Sequence, residues 1–267
     1  MAAAPPALSV DLSLGYGRGE LIRAVCFDLR SGEALGLVGQ SGSGKTTLAL
    51  SLLGMASDPA LRVKGTVKLH GRDLMGSSGR RWREVRGKSI AMIPQSPAAA
   101  LNASLRIESH FEEAWRAHSR TPWKTQKPRT IAFLASVGLP DGEDLLRRYP
   151  DQISVGQAQR MLIAIALLHA PAVLIADEPT SSLDAITQRD VLDLLRRIRD
   201  EGATAILFIS HDLLATAAVA DRIAVLHQGE IVECDEARRV LTAPQHPYTQ
   251  ELVKALTRLT RNVTTSP

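Results

Sequence analysis

The chain has 267 residues, 45% of them hydrophobic, which suffices for one large domain or for a core carrying an inserted subdomain. Its 32 Lys and Arg against 28 Asp and Glu leave a net charge of only +4, with the basic residues scattered apart from short clusters such as Arg80-Arg81-Trp82-Arg83. With 4% aromatics there is no interleaved stacking and charge pattern, which argues against a nucleic-acid platform, and two distant cysteines, Cys26 and Cys234, argue against an iron–sulfur or metal site and fit a reducing cytosol.

The opening Met-Ala-Ala-Ala-Pro-Pro has no basic stretch and is soon interrupted by prolines, so no signal peptide is expected. Residues 8–38 alternate short apolar runs with turns at Gly15, Gly17, Gly19 and Ser31-Gly32, which predicts paired strands. The last run, Ala34 to Val38, reads as a buried strand. Directly after it comes Gly39-Gln40-Ser41-Gly42-Ser43-Gly44-Lys45-Thr46, which fits G-x-x-x-x-G-K-[ST]. Its glycines let the backbone turn tightly with N–H groups facing inward, an anion-binding nest at the positive end of a helix beginning near Lys45. Lys45 adds a point charge for the β- and γ-phosphates, and the Thr46 hydroxyl is placed to bind the Mg²⁺ that bridges them. A flexible Gly/Ser linker has no need of Lys-Thr followed by the helix-like Leu48-Ala49-Leu50-Ser51-Leu52-Leu53.

Val63 to Leu69 and Ser89 to Ile93 read as further strands. From Pro97 to Ile153 strand-like runs disappear, and Ile107 to His118 and Thr130 to Val137 have helical spacing, so this stretch reads as a helical insert. Met161 to Ala176 is almost wholly apolar and approaches the length of a membrane span, but His169 and Pro171 break it. It is read as a buried helix, Gln157 to Leu168, followed by a parallel strand, Ala172 to Ala176, so no membrane-spanning segment is expected. A helix at Thr187 to Glu201 and strands at Thr204 to Ser210 and Ile223 to Leu226 continue the alternation of a mainly parallel sheet covered by helices. The tail holds Glu236 to Thr242, then Pro244-Gln245-His246-Pro247-Tyr248, then a helical run from Thr249 to Leu259.

The buried strand Val173-Leu174-Ile175-Ala176 ends in two adjacent carboxylates, Asp177 and Glu178, and strand termini are where α/β sheets hold ligands. Asp177 can support Mg²⁺ through its coordination shell, and Glu178 can polarise an attacking water as general base. Alone, such a pair is often a solvated turn. Behind a phosphate loop it reads as catalytic.

The order of the remaining motifs resembles the ATP-binding cassette (ABC) family over almost the whole chain. Gln95 matches the family's Q-loop glutamine, which contacts Mg²⁺ and the attacking water. Ile153-Ser154-Val155-Gly156-Gln157 resembles the signature L-S-G-G-Q, Ser182-Leu183-Asp184 the D-loop, and His211 the switch histidine. Tyr16 precedes Lys45 where the family has an adenine-stacking aromatic; a strand residue packed on a neighbour is its other reading. Taken singly, Gln95 reads as a surface residue and Ser210-His211-Asp212 as a helix cap. The resemblance implies an α/β fold: a P-loop NTPase (RecA-like) core with an N-terminal antiparallel β-subdomain and an inserted α-helical subdomain. The expected divisions are 1–95, 96–153, 154–234 and a C-terminal extension, 235–267.

The same resemblance implies an ATPase that uses ATP and Mg²⁺. The nucleotide set runs from Gly39 through Thr46 to Thr47, with Tyr16, Gln95, Asp177, Asp184 and His211, and with Ser154, Gly156 and Gln157 closing over ATP held by Lys45 of a second subunit facing head to tail. Thr46, Gln95 and Asp177 form the metal set, and Glu178, His211 and Gln95 the catalytic set. Val155 stands where glycine is usual, and its β-branch restricts the backbone.

Pro94-Gln95-Ser96-Pro97 with Ala100-Leu101-Asn102, and the tail His246-Pro247-Tyr248-Thr249-Gln250-Glu251-Leu252, resemble ATPase subunits of bacterial oligopeptide, dipeptide and nickel importers. That implies a peripheral subunit on the cytoplasmic face of the inner membrane, powering uptake of peptides, nickel or a metal chelate. Its partners would be two permeases, an extracytoplasmic solute-binding protein and a second ATPase subunit, self or paralogue, with no nucleic acid. An ATPase serving the carbon–phosphorus lyase machinery shares this tail type and stays open as the alternative. A regulatory GTPase would need a guanine-reading N-K-x-D stretch, which is missing.

Overall fold

A computed structural model describes residues 5–56 and 58–264. Residues 1–4, part of the opening read as lacking a signal peptide, residue 57 and residues 265–267 lie outside the described residues.

Strand β1 (Leu8–Tyr16) buries Leu8, Val10, Leu12 and Leu14, the period of two expected where one face meets a core. It pairs antiparallel with β2 (Gly19–Leu29), as the glycine turns predict. Strand β3 (Ala34–Gly39) is buried at all six positions and belongs to a second sheet, where both faces are covered. Helix α1 (Lys45–Leu52) starts at the phosphate loop. Strands β4 (Leu61–Leu69) and β5 (Arg72–Asp73) complete the antiparallel sheet in the order β2-β1-β4-β5.

Helix α2 (Gly79–Val85) was not foreseen, because its sequence reads as a basic cluster. It forms because the Ser78 side chain accepts from Arg81 N at 3.3 Å and because Trp82 and Val85 are buried. After β6 (Ile90–Ile93) come α3 (Pro97–Ala100), α4 (Ile107–Arg116), α5 (Trp123–Ser136) and α6 (Gly142–Arg147). Helix α5 begins well before Thr130, although Pro128 reads as a breaker. Pro128 sits in the second turn, where its missing N–H forgoes a single bond, while Trp123 is buried and donates its indole N–H to Glu108 at 2.8 Å.

The rest of the chain holds α7 (Val155–Leu167), β7 (Val173–Asp177), α8 (Ala185–Asp200), β8 (Ala205–Ser210), α9 (Leu213–Val219), β9 (Arg222–His227), β10 (Glu230–Glu236), α10 (Ala237–Thr242) and α11 (Pro247–Thr264), an alternation of helix and strand up to β9. Strand β10 was missed because it is a half-exposed antiparallel edge strand with four acidic residues, which hides its periodicity.

The second sheet has the order β10-β9-β3-β8-β7-β6, parallel apart from β10, so the carboxyl ends of β3, β6, β7 and β8 share one edge. Alternate residues of its central strands feed different cores. Leu174, Ile206 and Phe208 join the helical insert through Phe111 and Leu134. Ile175, Leu207 and Leu37 join the antiparallel sheet through Leu12 and Leu14. A third core seats the tail: Tyr248 packs with Val38, Ile223 and Val225 and stacks on His227 with ring centroids 3.8 Å apart.

Candidate nucleotide-binding and hydrolysis site

Gly39 ends β3, and the chain wraps over the sheet edge through Gln40 to Gly44 before α1 begins. Gly44 caps that helix in the left-handed region, at φ 91°, and a Cβ there would lie 2.9 Å from Leu21 Cγ. Only glycine satisfies both the angle and the space. Lys45 is 6% exposed, and its Nζ donates to Gly39 O at 2.8 Å and Gln40 O at 2.9 Å, closing the loop on itself. Burial lowers the Lys45 pKa, with Glu178 and Asp177 pulling it back up.

A cavity of about 220 Å³ is lined by Ser41, Gly42 and Gly44 to Thr47, with Leu21 on one side and Gln95 and Glu178 on the other. Residues predicted from three separate stretches of sequence, the phosphate loop, Gln95 and Glu178, thus meet at the carboxyl edge of the parallel strands. Leu21 was missed: it lies on the neighbouring hairpin, and nothing in its local sequence marks a role.

Asp177 ends β7 at 1% exposure, and neither carboxylate oxygen has a hydrogen-bond partner among the described residues. Burial raises its pKa above the ordinary carboxylate range; the Thr46 hydroxyl opposes this, the Glu178 charge adds to it and Lys45 opposes it. Glu178, the next residue, has φ 49°, unusual for a residue with a side chain, and its N–H donates to Ile209 O at 2.8 Å. That turn aims its carboxylate at the end of β8, where His211 Nδ1 lies 2.8 and 2.9 Å from the two oxygens. Ser210 Oγ donates to Glu178 at 3.4 Å and accepts from Asp212 N at 3.0 Å, a contact the sequence reading did not assign. Its position at a strand terminus beside His211 was the available signal. Asp212, not His211, caps α9, accepting from Leu214 N and Ala215 N.

Ser154, Gly156 and Gln157 lie elsewhere, lining a cavity of about 230 Å³ with Arg160, Thr187 and Asp190. Ser154 caps α7: its Oγ accepts from Gln157 N at 3.1 Å, and its own N–H donates to Gln157 Oε1 at 3.0 Å. This capping box starts the helix two residues before the predicted Gln157. Gly156 is required by closeness, since a Cβ there would meet Thr187 Cγ2 at 2.5 Å. Val155 occupies the first helical position, outside the positive-φ residues and 52% exposed, so its β-branch is accommodated without backbone strain. Asp184 caps α8, accepting from Ile186 N and Thr187 N, and those bonds hold its pKa low. Tyr16 ends β1 at 40% exposure and does not line the phosphate-loop cavity.

Residues 22–181 match the ABC transporter family profile. A Brucella abortus protein bearing a peptide import ATP-binding name is 40% identical over 93% of this chain and 75% of its own. The dipeptide transport ATP-binding protein of Bacillus subtilis is 36% identical over 96% of this chain and 76% of its own. Among solved structures, a dimeric bacterial ABC transporter cassette superposes with a TM-score of 0.74 at 24% identity, covering 86% of this chain and 99% of that one, which establishes the fold. A dimeric cassette in a post-hydrolysis state with ADP and phosphate gives 0.71 at 25% identity, covering 85% and 99%. With a family match over more than half its length and such relatives over nine-tenths of it, the chain belongs to the ABC transporter family.

Proposed function

We propose that this chain is the ATP-hydrolysing subunit of a bacterial importer for peptides. The observation that carries the reading is the buried carboxylate pair at the end of β7, with Glu178 held 2.8 Å from His211 and facing the phosphate-loop cavity. ATP is the nucleotide the family binds. Lys45 and the N–H groups of Ser41 to Thr46 orient its phosphates, Glu178 takes the proton of the attacking water, and His211 fixes the Glu178 carboxylate and reads the γ-phosphate. Gln95 faces the same cavity and aligns the water.

The residues present suit magnesium. Asp177 offers a buried carboxylate without a protein partner, and the Thr46 hydroxyl faces it, an oxygen set matched to a hard cation. Magnesium, when bound, would supply positive charge that neutralises the phosphates of the nucleotide. Thr46 and Asp177 would hold it, with Gln95 as a third contact, and its charge would offset the cost of ionising the buried Asp177.

Ser154, Gly156 and Gln157 stand at the exposed N-terminus of α7, in a different cavity from Lys45. This separation supports a composite site, in which the signature of one subunit closes over nucleotide held by another, self or paralogue; Tyr16 and Asp184 flank it. The dimeric cassettes with the same fold support the pairing. Residues 96–153 form the unit that docks permeases, and Gln95 links it to the nucleotide. No helix among the described residues is long and apolar enough to cross a membrane. The import names of the relatives support attachment through permeases at the cytoplasmic face, supplied by a solute-binding protein. The import names of relatives at 36–40% identity favour peptides over nickel or chelates, and import over a phosphonate-degrading complex.

The test is co-purification of the tagged chain from its native membrane, with phosphate release measured with and without peptide-loaded binding protein. Stimulated hydrolysis in a permease complex is expected. Recovery with soluble phosphonate-degrading enzymes instead overturns the importer reading.

A further inference from the structure

A cavity of about 620 Å³, nearly three times the volume of the phosphate-loop cleft, shares no lining residue with it. One wall is α2 and the turn after it, carrying Arg80, Arg83 and Lys88; the other is the end of α4 and the loop beyond, carrying Arg116, His118 and Arg120. Five lining side chains are cationic and one, Glu84, is anionic, an excess equal to the net charge of the entire chain, +4. The rest of the molecule is therefore balanced, and its imbalance gathers here.

Internal pairing does not neutralise the cleft. Glu84 is shared between Arg80 and Arg81 at 3.4 Å each, and Arg116 is paired with Glu112 at 2.8 Å. Among the described residues, Arg83, Lys88 and Arg120 have no carboxylate within ion-pair distance. Like charges converging on a concave surface raise a positive potential that a bound anion relieves. The walls are also fixed in advance. Trp82 and Val85 are buried, and Arg86 donates to Leu53 O at 2.6 Å and to Gly54 O. Opposite, Trp115 stacks on His169 with centroids 5.0 Å apart, and the His118 ring stands edge-on to His169 at 5.2 Å. Preformed walls cut the ordering cost of binding.

We propose that this cleft binds a polyvalent phosphate, held by Arg83, Lys88 and Arg120 with Arg80 and Arg116 at its rim. Four of the five cations are arginines, whose planar fork matches phosphate oxygens in pairs. Several cations converging on one cavity suit a compact group carrying several charges better than carboxylates bearing one each. The source is either a soluble oligophosphate or the headgroup of a lipid with two phosphates. The inference does not rest on the importer reading.

The experiment uses the full chain with magnesium and one equivalent of a non-hydrolysable ATP analogue, which fills the phosphate loop and leaves no excess to compete in the cleft. It is titrated with tripolyphosphate and, separately, with cardiolipin–phosphatidylcholine vesicles. Binding to at least one probe is expected, weakening as salt rises. The triple variant Arg83→Glu, Lys88→Glu, Arg120→Glu should lose about tenfold or more in affinity, the scale of one charge-assisted contact. Should that variant fail to fold, Arg83→Gln with Arg120→Gln decides, with unchanged binding of the ATP analogue as its folding control. Tripolyphosphate alone assigns a soluble source and vesicles alone a lipid one; either supports the site. Binding of neither probe, full binding by the folded variant, or equal competition by polyglutamate, the signature of an acidic protein segment, overturns it.

Discussion

Asp177 is the residue whose energetics most sharply separate stability from function. A carboxylate with a raised folded pKa holds its proton more tightly folded than unfolded, so its contribution favours folding at low pH. That contribution is lost as pH climbs from the unfolded value through the raised one. Once ionised, this buried carboxylate opposes folding of the nucleotide-free chain, with only the Thr46 hydroxyl and Lys45 to favour its charge. We predict that Asp177→Asn raises the thermal midpoint at pH 7 by about 2–4 °C, the shift that ~1 kcal/mol gives in a domain of this size. The same variant should lose the magnesium-dependent part of ATP stabilisation. Thermal melts across pH, with and without magnesium and ATP, check both; a lowered midpoint contradicts the account. Lys45→Ala should abolish measurable ATPase activity with the fold intact by circular dichroism, and near-normal turnover would remove it from the site. Lys45, Asp177 and Glu178 could be marked as site candidates because each stands beside its motif neighbours in sequence. Ser210 and Leu21 were not, because their contacts with Glu178 and the loop cross between strands.

At the scale of elements, α7 meets α8 where Gly156 faces Thr187 with no room for a methyl group. Gly156→Ala should therefore cost about 1–3 kcal/mol by overpacking and displace the start of α7. Denaturant melts measure the cost, and unchanged stability would mean that the helices part freely. Tyr248 ties α11 to the sheet through its stack on His227, so Tyr248→Ala should cost about 3 kcal/mol, near the lower end for buried aromatics. Limited proteolysis should then cleave the tail ahead of the core, and simultaneous loss of both would argue against a separately seated tail. The sequence made β3, β7, β8 and β9 plain because apolar runs bounded by turns have few other readings. It concealed α2, whose helix depends on Ser78 and two buried side chains, and β10, which is a strand because β9 offers it an edge.

For the whole molecule, the separation of the signature from the phosphate loop within one chain predicts behaviour that only an assembly can display. Glu178→Gln keeps the shape of the side chain and removes the base, a loss of about 10² to 10⁴ in hydrolysis rate. With ATP and magnesium this variant should accumulate as a closed dimer with itself or its paralogue, seen by light scattering alongside phosphate release. Normal hydrolysis by a pair carrying the change in every competent site contradicts Glu178 as base. Slow hydrolysis without closure contradicts the composite site.

The chemistry was written locally. Glycines that permit a left-handed turn, a lysine and threonine at a helix start, and carboxylates after an apolar run are neighbours in the chain, and spacing alone commits them to phosphate. Those residues set the ligand and the reaction before any contact is known. Tertiary structure decided what depends on distant strands meeting: that β8 lies between β3 and β7, so that His211 reaches Glu178, and that Ser154 opens into a different cavity from Lys45. It also gathered scattered arginines from α2 and α4 into one positive cleft, because packing brings together charges that composition can only count.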